Sequence, residues 1–234
     1  MLTAAGPHPP SVSRTGLIVV GWTAALVAGA IFFMLAVDVS THTDLVIIDA
    51  KVAAWLHSHT TNEIAAFLYA ITTLHNTVGT SLMAVAFGVV LWRLRERYWL
   101  LTLGLAMSGG MALNVLLKQA YARARPHFDD PWVTLNSFSF PSGHTAAATL
   151  FYGVLAAFLI AHFYKWPQRV ACVVGAFLAV ALVAFSRMYL GAHYLSDIVA
   201  AACSSLVWLV LCLSAVHSLV RRRMARAARR ARAA

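Results

Sequence analysis

"GLIVVGWTAALVAGAIFFMLAV", residues 16–37, holds no charged side chain in a run long enough to cross a bilayer. A hydrocarbon core of roughly 30 Å takes about 20 helical residues, and none of their backbone groups finds water there. Runs of similar character follow at 76–92, 99–119, 143–162, 170–189 and 194–218, with the first span placed at 17–37. The whole chain is 61% hydrophobic and 11% charged, which excludes an ordinary soluble domain. Its 234 residues fit one bundle of about six spans with short connections and leave no room for a separate soluble catalytic domain. The expectation is an all-α integral membrane bundle. It comprises a cytoplasmic N-terminus (1–16), a six-span domain (17–218) and a basic cytoplasmic tail (219–234).

The first run exceeds a signal peptide's apolar core of about 7–15 residues, and only Arg14 flanks it, so it reads as an uncleaved span. Residues 64–74, "IAAFLYAITTL", fit either the start of span two or a short surface helix. Between spans one and two, "DLVIIDAKVAAWLHS" (44–58) sets Leu45, Ile48, Val52 and Trp55 or Leu56 at helical spacing. That pattern predicts an amphipathic helix in the headgroup plane with Trp55 as its anchor, serving either as packing or in admitting lipid.

Lysine and arginine set the orientation. One side collects Arg14, Arg93, Arg95, Arg97, Lys165, Arg169 and the tail arginines 221, 222, 223, 226, 229, 230 and 232. The other has Lys51, Lys118, Arg123, Arg125 and Arg187, with most of the acidic residues. The positive-inside rule then puts both termini in the cytoplasm and segments 38–60, 120–142 and 187–195 outside. The arginine tail reads as a topology signal drawn to anionic lipid rather than a nucleic-acid site. Cys172, Cys203 and Cys212 all fall within spans and imply no disulfide framework.

Three stretches on the outer side carry chemistry. In "LKQAYARARP" (117–126), Lys118 and Arg125 lie just under two helical turns apart and reach one place if the helix persists to Pro126. In "PSGHT" (141–145), Ser142 suits a helix N-cap, and the unpaired N–H groups behind it suit an anion. His144 stands in that first turn. In "SRMYLGAHYLSD" (186–197), His193 and Asp197 are four apart, a spacing at which a carboxylate fixes one imidazole nitrogen and frees the other as nucleophile or base. Taken singly, Lys118, Arg125 and Arg187 read as snorkelling cations; together with two histidines, a carboxylate and a helix N-terminus they read as a site for a multiply charged anion. Arg123 is assigned surface charge only, and Asp129 and Asp130 a solvated loop. His42, His57, His59, His75 and His127 share the outer side without a metal-ligand spacing, so no metal is assigned.

Lys118…Arg125-Pro126, Pro141-Ser142-Gly143-His144 and Ser186-Arg187…His193…Asp197 resemble, in order and at every defining position, the three-part signature of the type 2 phosphatidic acid phosphatase superfamily. The resemblance implies a lipid phosphate or pyrophosphate phosphatase that uses no metal or other cofactor. The family's distant soluble vanadate-binding haloperoxidases fit poorly with these apolar spans. It implies His193 as the nucleophile that becomes phosphohistidine, Asp197 as its support, and His144 as acid and then base. Lys118, Arg125, Arg187, the Ser142 hydroxyl and the Gly143 N–H would hold the phosphate oxygens. With opposite duties, His193 is expected neutral and His144 cationic before attack. The outward site and small size suit a bacterial inner-membrane enzyme whose partner is a lipid phosphate: undecaprenyl pyrophosphate, phosphatidylglycerophosphate or phosphatidate. A lipid-to-lipid phosphotransferase would use the same residues. A non-catalytic lipid-phosphate binder or transporter would need only the cations.

Overall fold

The computed structural model describes residues 14–41 and 44–233; residues 1–13 of the expected N-terminal segment, and His42, lie outside the described residues. Eight helices follow in order: α1 (Arg14–Thr41), α2 (Asp44–Ser58), α3 (Asn62–Leu74), α4 (Thr77–Arg93), α5 (Arg97–Tyr121), α6 (Gly143–His162), α7 (Trp166–Tyr189) and α8 (Leu195–Ala233). No strand occurs among the described residues. Among the described residues, α1, α5, α6, α7 and α8 are each long and apolar enough to span, and α3 with α4 is so only as a bent pair taken together.

Helix α6 is the centre of the bundle, packed against α5, α7 and α8, while α1 lies along α8. Its Leu150, Phe151, Val154 and Phe158 meet Leu103 and Ala106 of α5, Leu91 of α4, and Leu209 and Cys212 of α8. The rims of the bundle keep their large apolar side chains outward, among them Leu26 and Phe33 of α1 and Phe177 of α7, as lipid-facing surfaces require.

The second run is bent. Helices α3 and α4 meet at 52° across His75 and Asn76, so "IAAFLYAITTL" is a helix of its own. The break is built by local bonds. The Asn76 side chain caps α4 by accepting from Gly79 N at 2.8 Å, and the Thr80 hydroxyl donates to the His75 carbonyl at 3.1 Å. A Cβ on residue 79 would sit 1.9 Å from the Leu74 carbonyl oxygen, so only glycine fits that turn.

Helix α2 lies between the first two crossings as expected, and Trp55 stays 60% exposed. Its buried stripe differs from the apolar one: Asp49, Ala53 and Leu56 face inward while Ile47 and Ile48 face out. A carboxylate is therefore part of the packed face, with Leu56 seated against Leu68, Tyr189 and Leu190.

Gly79→Ala will force the Leu74 carbonyl aside and loosen the α3–α4 break. The expected cost is about 1–3 kcal/mol, read as a fall of several degrees in the thermal midpoint of the detergent-purified protein.

Candidate active site

The C-terminal end of α5 corrects one expectation. The helix does not persist to Arg125: it stops at Tyr121, and Ala122 takes the left-handed conformation (φ 43°, ψ 34°) while its N–H bonds the Lys118 carbonyl at 2.9 Å. Pro126 keeps Arg125 out of the helical region, because the residue before a proline is pushed out of it. Lys118 thus remains on the helix, and Arg123 and Arg125 leave it in an irregular segment. Both arginines reach the start of α8.

Arg125 is held by many acceptors. Its Nε donates to the Ser137 carbonyl at 2.7 Å, Nη2 to the Ser137 hydroxyl at 2.9 Å, and Nη1 to the Ala192 carbonyl at 2.6 Å. The same Nη1 stands 3.1 Å from His193 Nε2. A guanidinium only donates, so Nε2 is the acceptor and the ring proton sits on Nδ1. Nδ1 in turn lies 3.3 Å from Asp197 Oδ2. The free lone pair of His193 therefore points at the cation and the protonated nitrogen at the carboxylate.

The turn that carries His193 is fixed from behind. Gly191 adopts φ 68°, and the N–H groups of Ala192 and His193 both donate to the Arg187 carbonyl at 2.9 and 3.2 Å. Asp197 is fully buried: Oδ2 also accepts from Tyr194 N at 2.9 Å and from the Ser139 hydroxyl, and Oδ1 from Arg123 Nη1 at 2.7 Å. Burial pulls the His193 pKa from 6.5 down to about 4, with the Asp197 bond acting in the opposite direction. The imidazole is neutral at pH 7. Between pH about 4 and 6.5 the unfolded chain binds the proton that the folded chain refuses, so the stability His193 contributes is lost as pH falls through that window.

Helix α6 begins against this pair. Ser142 N donates to the Asp197 carbonyl at 3.1 Å, and the buried Ser142 side chain accepts from Thr145. Gly143 faces the Asn114 amide and the end of the Lys118 side chain, whose Nζ donates to the Phe138 carbonyl at 2.5 Å. His144 is half-buried, within electrostatic range of Arg187, His193 and Arg125, and has no hydrogen-bond partner among the described residues. Arg187 is buried at 2% exposure and spends one donor, Nη1, on the Thr72 hydroxyl at 2.7 Å. Its Nε and Nη2 are buried without a partner.

Two residues escaped the sequence reading. Arg123, taken as surface charge, is an inward bridge between Asp197 and Asp49, and its guanidinium lies 4.3 Å from the Tyr194 ring centroid. Asp49, taken as part of an amphipathic helix, is 1% exposed. The alternation Arg123-Ala124-Arg125-Pro126 carried the signal for the first, since residues two apart in a non-helical segment share a side. A lone carboxylate in register with Ala53 and Leu56 carried it for the second. Asp130 does stand in solvent, paired with His57 at 3.0 Å, while Phe128 stacks on the His57 ring. His75 bonds Tyr152 instead of joining the cluster. No group of three or more metal-ligating side chains converges among the described residues.

Residues 99–221 match the model of the PAP2 superfamily, and this region contains every residue of the cluster except Asp49. The chain belongs to the PAP2 superfamily. Over 88 residues this PAP2 chain is 42% identical to the phosphatidylglycerophosphatase B of Bacillus subtilis, a stretch that is 37% of this chain and 42% of that relative. Among solved structures it resembles the transmembrane PAP2 type phosphatidylglycerolphosphate phosphatase of Bacillus subtilis, with a TM-score of 0.76 at 26% identity over 83% of this chain and 96% of that one. Aquifex aeolicus LpxE shares the fold at a TM-score of 0.57 and 20% identity, over 71% of this chain and 95% of the other.

Two unpartnered donors on a buried guanidinium call for an oxyanion. Orthovanadate should raise the thermal midpoint of the protein, and Arg187→Gln should weaken its binding about ten- to a hundredfold, the scale of hydrogen bonds to charged groups (about 1.5–3 kcal/mol). A titration monitored by thermal shift checks both.

Proposed function

We propose that this PAP2 protein is a lipid phosphatase that cleaves a lipid phosphomonoester or pyrophosphate at the outer face of the membrane through a phosphohistidine on His193. The observation that carries the reading is the polarised ring: Nδ1–H faces Asp197 and the Nε2 lone pair faces Arg125. An imidazole so fixed is a nucleophile awaiting an electrophile beside a cation.

Arg125 first shifts its Nη1 donor from Nε2 to a phosphate oxygen, which frees the lone pair. Lys118, Arg187, the Ser142 hydroxyl and the Gly143 N–H hold the remaining non-bridging oxygens, and their fixed charge neutralises what develops in the transition state. Nε2 bonds to phosphorus as the phosphorus–oxygen bond to the lipid breaks, its electron pair passing to the leaving oxygen. His144, protonated beside the negative charge of the bound phosphate, gives that oxygen a proton. Neutral His144 then takes a proton from water, the hydroxyl attacks phosphorus, and the phosphorus–nitrogen bond breaks to restore His193 and release inorganic phosphate.

The outward placement rests on charge: thirteen lysines and arginines lie on the side of both termini, and five, all but Lys51 in or beside the cluster, lie on the other. The relative and the solved structure support a headgroup of the phosphatidylglycerophosphate kind, with phosphatidate and undecaprenyl pyrophosphate as the other substrates of matching chemistry. A bacterial inner membrane is the setting in which all three are met.

The protein in detergent with EDTA should release inorganic phosphate from at least one of these lipids, and His193→Ala should reduce release to background. Release undiminished in that variant overturns the nucleophile. Phosphate transferred to an added lipid acceptor, in place of release, identifies the phosphotransferase. Tight binding without either product identifies a binder.

On the same assay kcat/KM should fall on the acid side as pH drops through about 4, where His193 takes a proton.

A further inference from the structure

The reading above leaves one buried ion cluster unused. Arg123 donates through Nη1 to Asp197 Oδ1 at 2.7 Å and to the Ser196 hydroxyl at 2.7 Å, and through Nη2 to Asp49 Oδ2 at 2.8 Å. The carboxylates are 1% and 0% exposed and the guanidinium side chain 9%. Asp49 is then secured twice more, by Ser196 N on Oδ1 at 3.0 Å and by the Ser196 hydroxyl on Oδ2. It reaches the site from α2, a helix outside the region matched by the family model.

Burying a second carboxylate is expensive unless it is paired, and a lone Arg123 would already pair Asp197 completely. One guanidinium between two carboxylates leaves a single net negative charge. The bond at stake is the longest in the cluster: Asp197 Oδ2 stands 3.3 Å from His193 Nδ1 while three other donors compete for the same carboxylate. If Arg123 gave its whole charge to Asp197, the field of that carboxylate on the imidazole would be largely cancelled. Sharing the guanidinium with Asp49 preserves it.

We propose that Asp49 is a positioning residue for the nucleophile: acting through Arg123, it keeps one net negative charge beneath the His193–Asp197 pair. This rests on the phosphohistidine reading of the preceding subsection. When Nε2 bonds to phosphorus while Nδ1 keeps its proton, the ring becomes cationic, and the one uncompensated carboxylate charge balances it. Asp49 touches neither the substrate nor the reacting atoms. Its bond from the Ser196 N–H, in the first turn of α8, docks α2 where that charge is needed.

The test removes charge without removing shape. Asp49→Asn keeps an oxygen for Ser196 N and deletes the negative charge; Arg123→Gln deletes the positive one; the double variant restores the original net charge. All are measured as full-length protein in detergent with dioleoyl phosphatidate and EDTA, alongside wild type and His193→Ala, with thermal midpoints recorded for each. Asp49→Asn should lower kcat about 10- to 100-fold, the scale on which outer partners of a working histidine act, with KM within about twofold of wild type. The double variant should lose far less than the product of the two single losses. A wild-type kcat in Asp49→Asn, or losses that simply multiply in the double variant, would reduce Asp49 to a helix cap and overturn the proposal.

A second readout is independent of turnover. The downfield Nδ1 proton resonance of His193, assigned by its disappearance in His193→Ala, should move upfield in Asp49→Asn as the bond to Asp197 weakens. If wild type leaves phosphatidate intact, the phosphatase reading fails on that lipid, and this resonance decides alone: displaced, the positioning role stands; unmoved, it falls.

Discussion

Asp197 is a carboxylate with no access to water at all, and the end of the bundle where α8 begins is organised around meeting its demand for donors. An unpaired charge in such a place costs several kcal/mol. The donors that prevent this come from separate parts of the chain: Arg123 after α5, Ser139 before α6, and Tyr194 N and His193 at the start of α8. The backbone carbonyl of the same residue takes Ser142 N, which sets where α6 begins. Satisfying one buried group therefore brings together the three stretches that hold the family's signature.

The cations obey the same logic with the opposite sign. Arg125 is saturated by carbonyls of the 137–138 loop and of Ala192, so its position is independent of any ligand, whereas Arg187 keeps two buried donors unpartnered. One arginine is fully held by the protein; the other keeps donors that an anion would satisfy. Among the described residues Thr72 supplies the one hydrogen-bond acceptor of the Arg187 guanidinium, and it stands on α3, the shorter helix of the bent pair. The 52° break places that helix beside α7, which links a feature of the membrane domain to the anion site.

Much of this was legible in the sequence because apolar run length and motif spacing are strong signals. The runs located most of the long helices to within a few residues; the exceptions are the second, interrupted at His75 and Asn76, and the last, where α8 carries on through the arginine tail to Ala233 instead of ending near 218. The motif residues located the cluster, although α8 begins only at Leu195, so His193 meets Asp197 from the turn before the helix and not by the helical offset the spacing suggested. Two things were hidden. Helical spacing from Lys118 to Arg125 ignored the constraint Pro126 puts on the residue before it, and that error made Arg123 look like surface. Asp49 was hidden because its partners lie 74 residues or more along the chain, and no local pattern reports a bridge of that span.

The central claim is that the imidazole aimed at Arg125 is the group that takes the phosphoryl. The most direct measurement mixes the protein with a lipid phosphate labelled on phosphorus, quenches in base within milliseconds, and maps the label by proteolysis. Label on the peptide carrying residue 193, absent from the Asp197→Asn protein's early time points, is the expected result. Label on the peptide carrying residue 144, or steady turnover with no label on either, would contradict it.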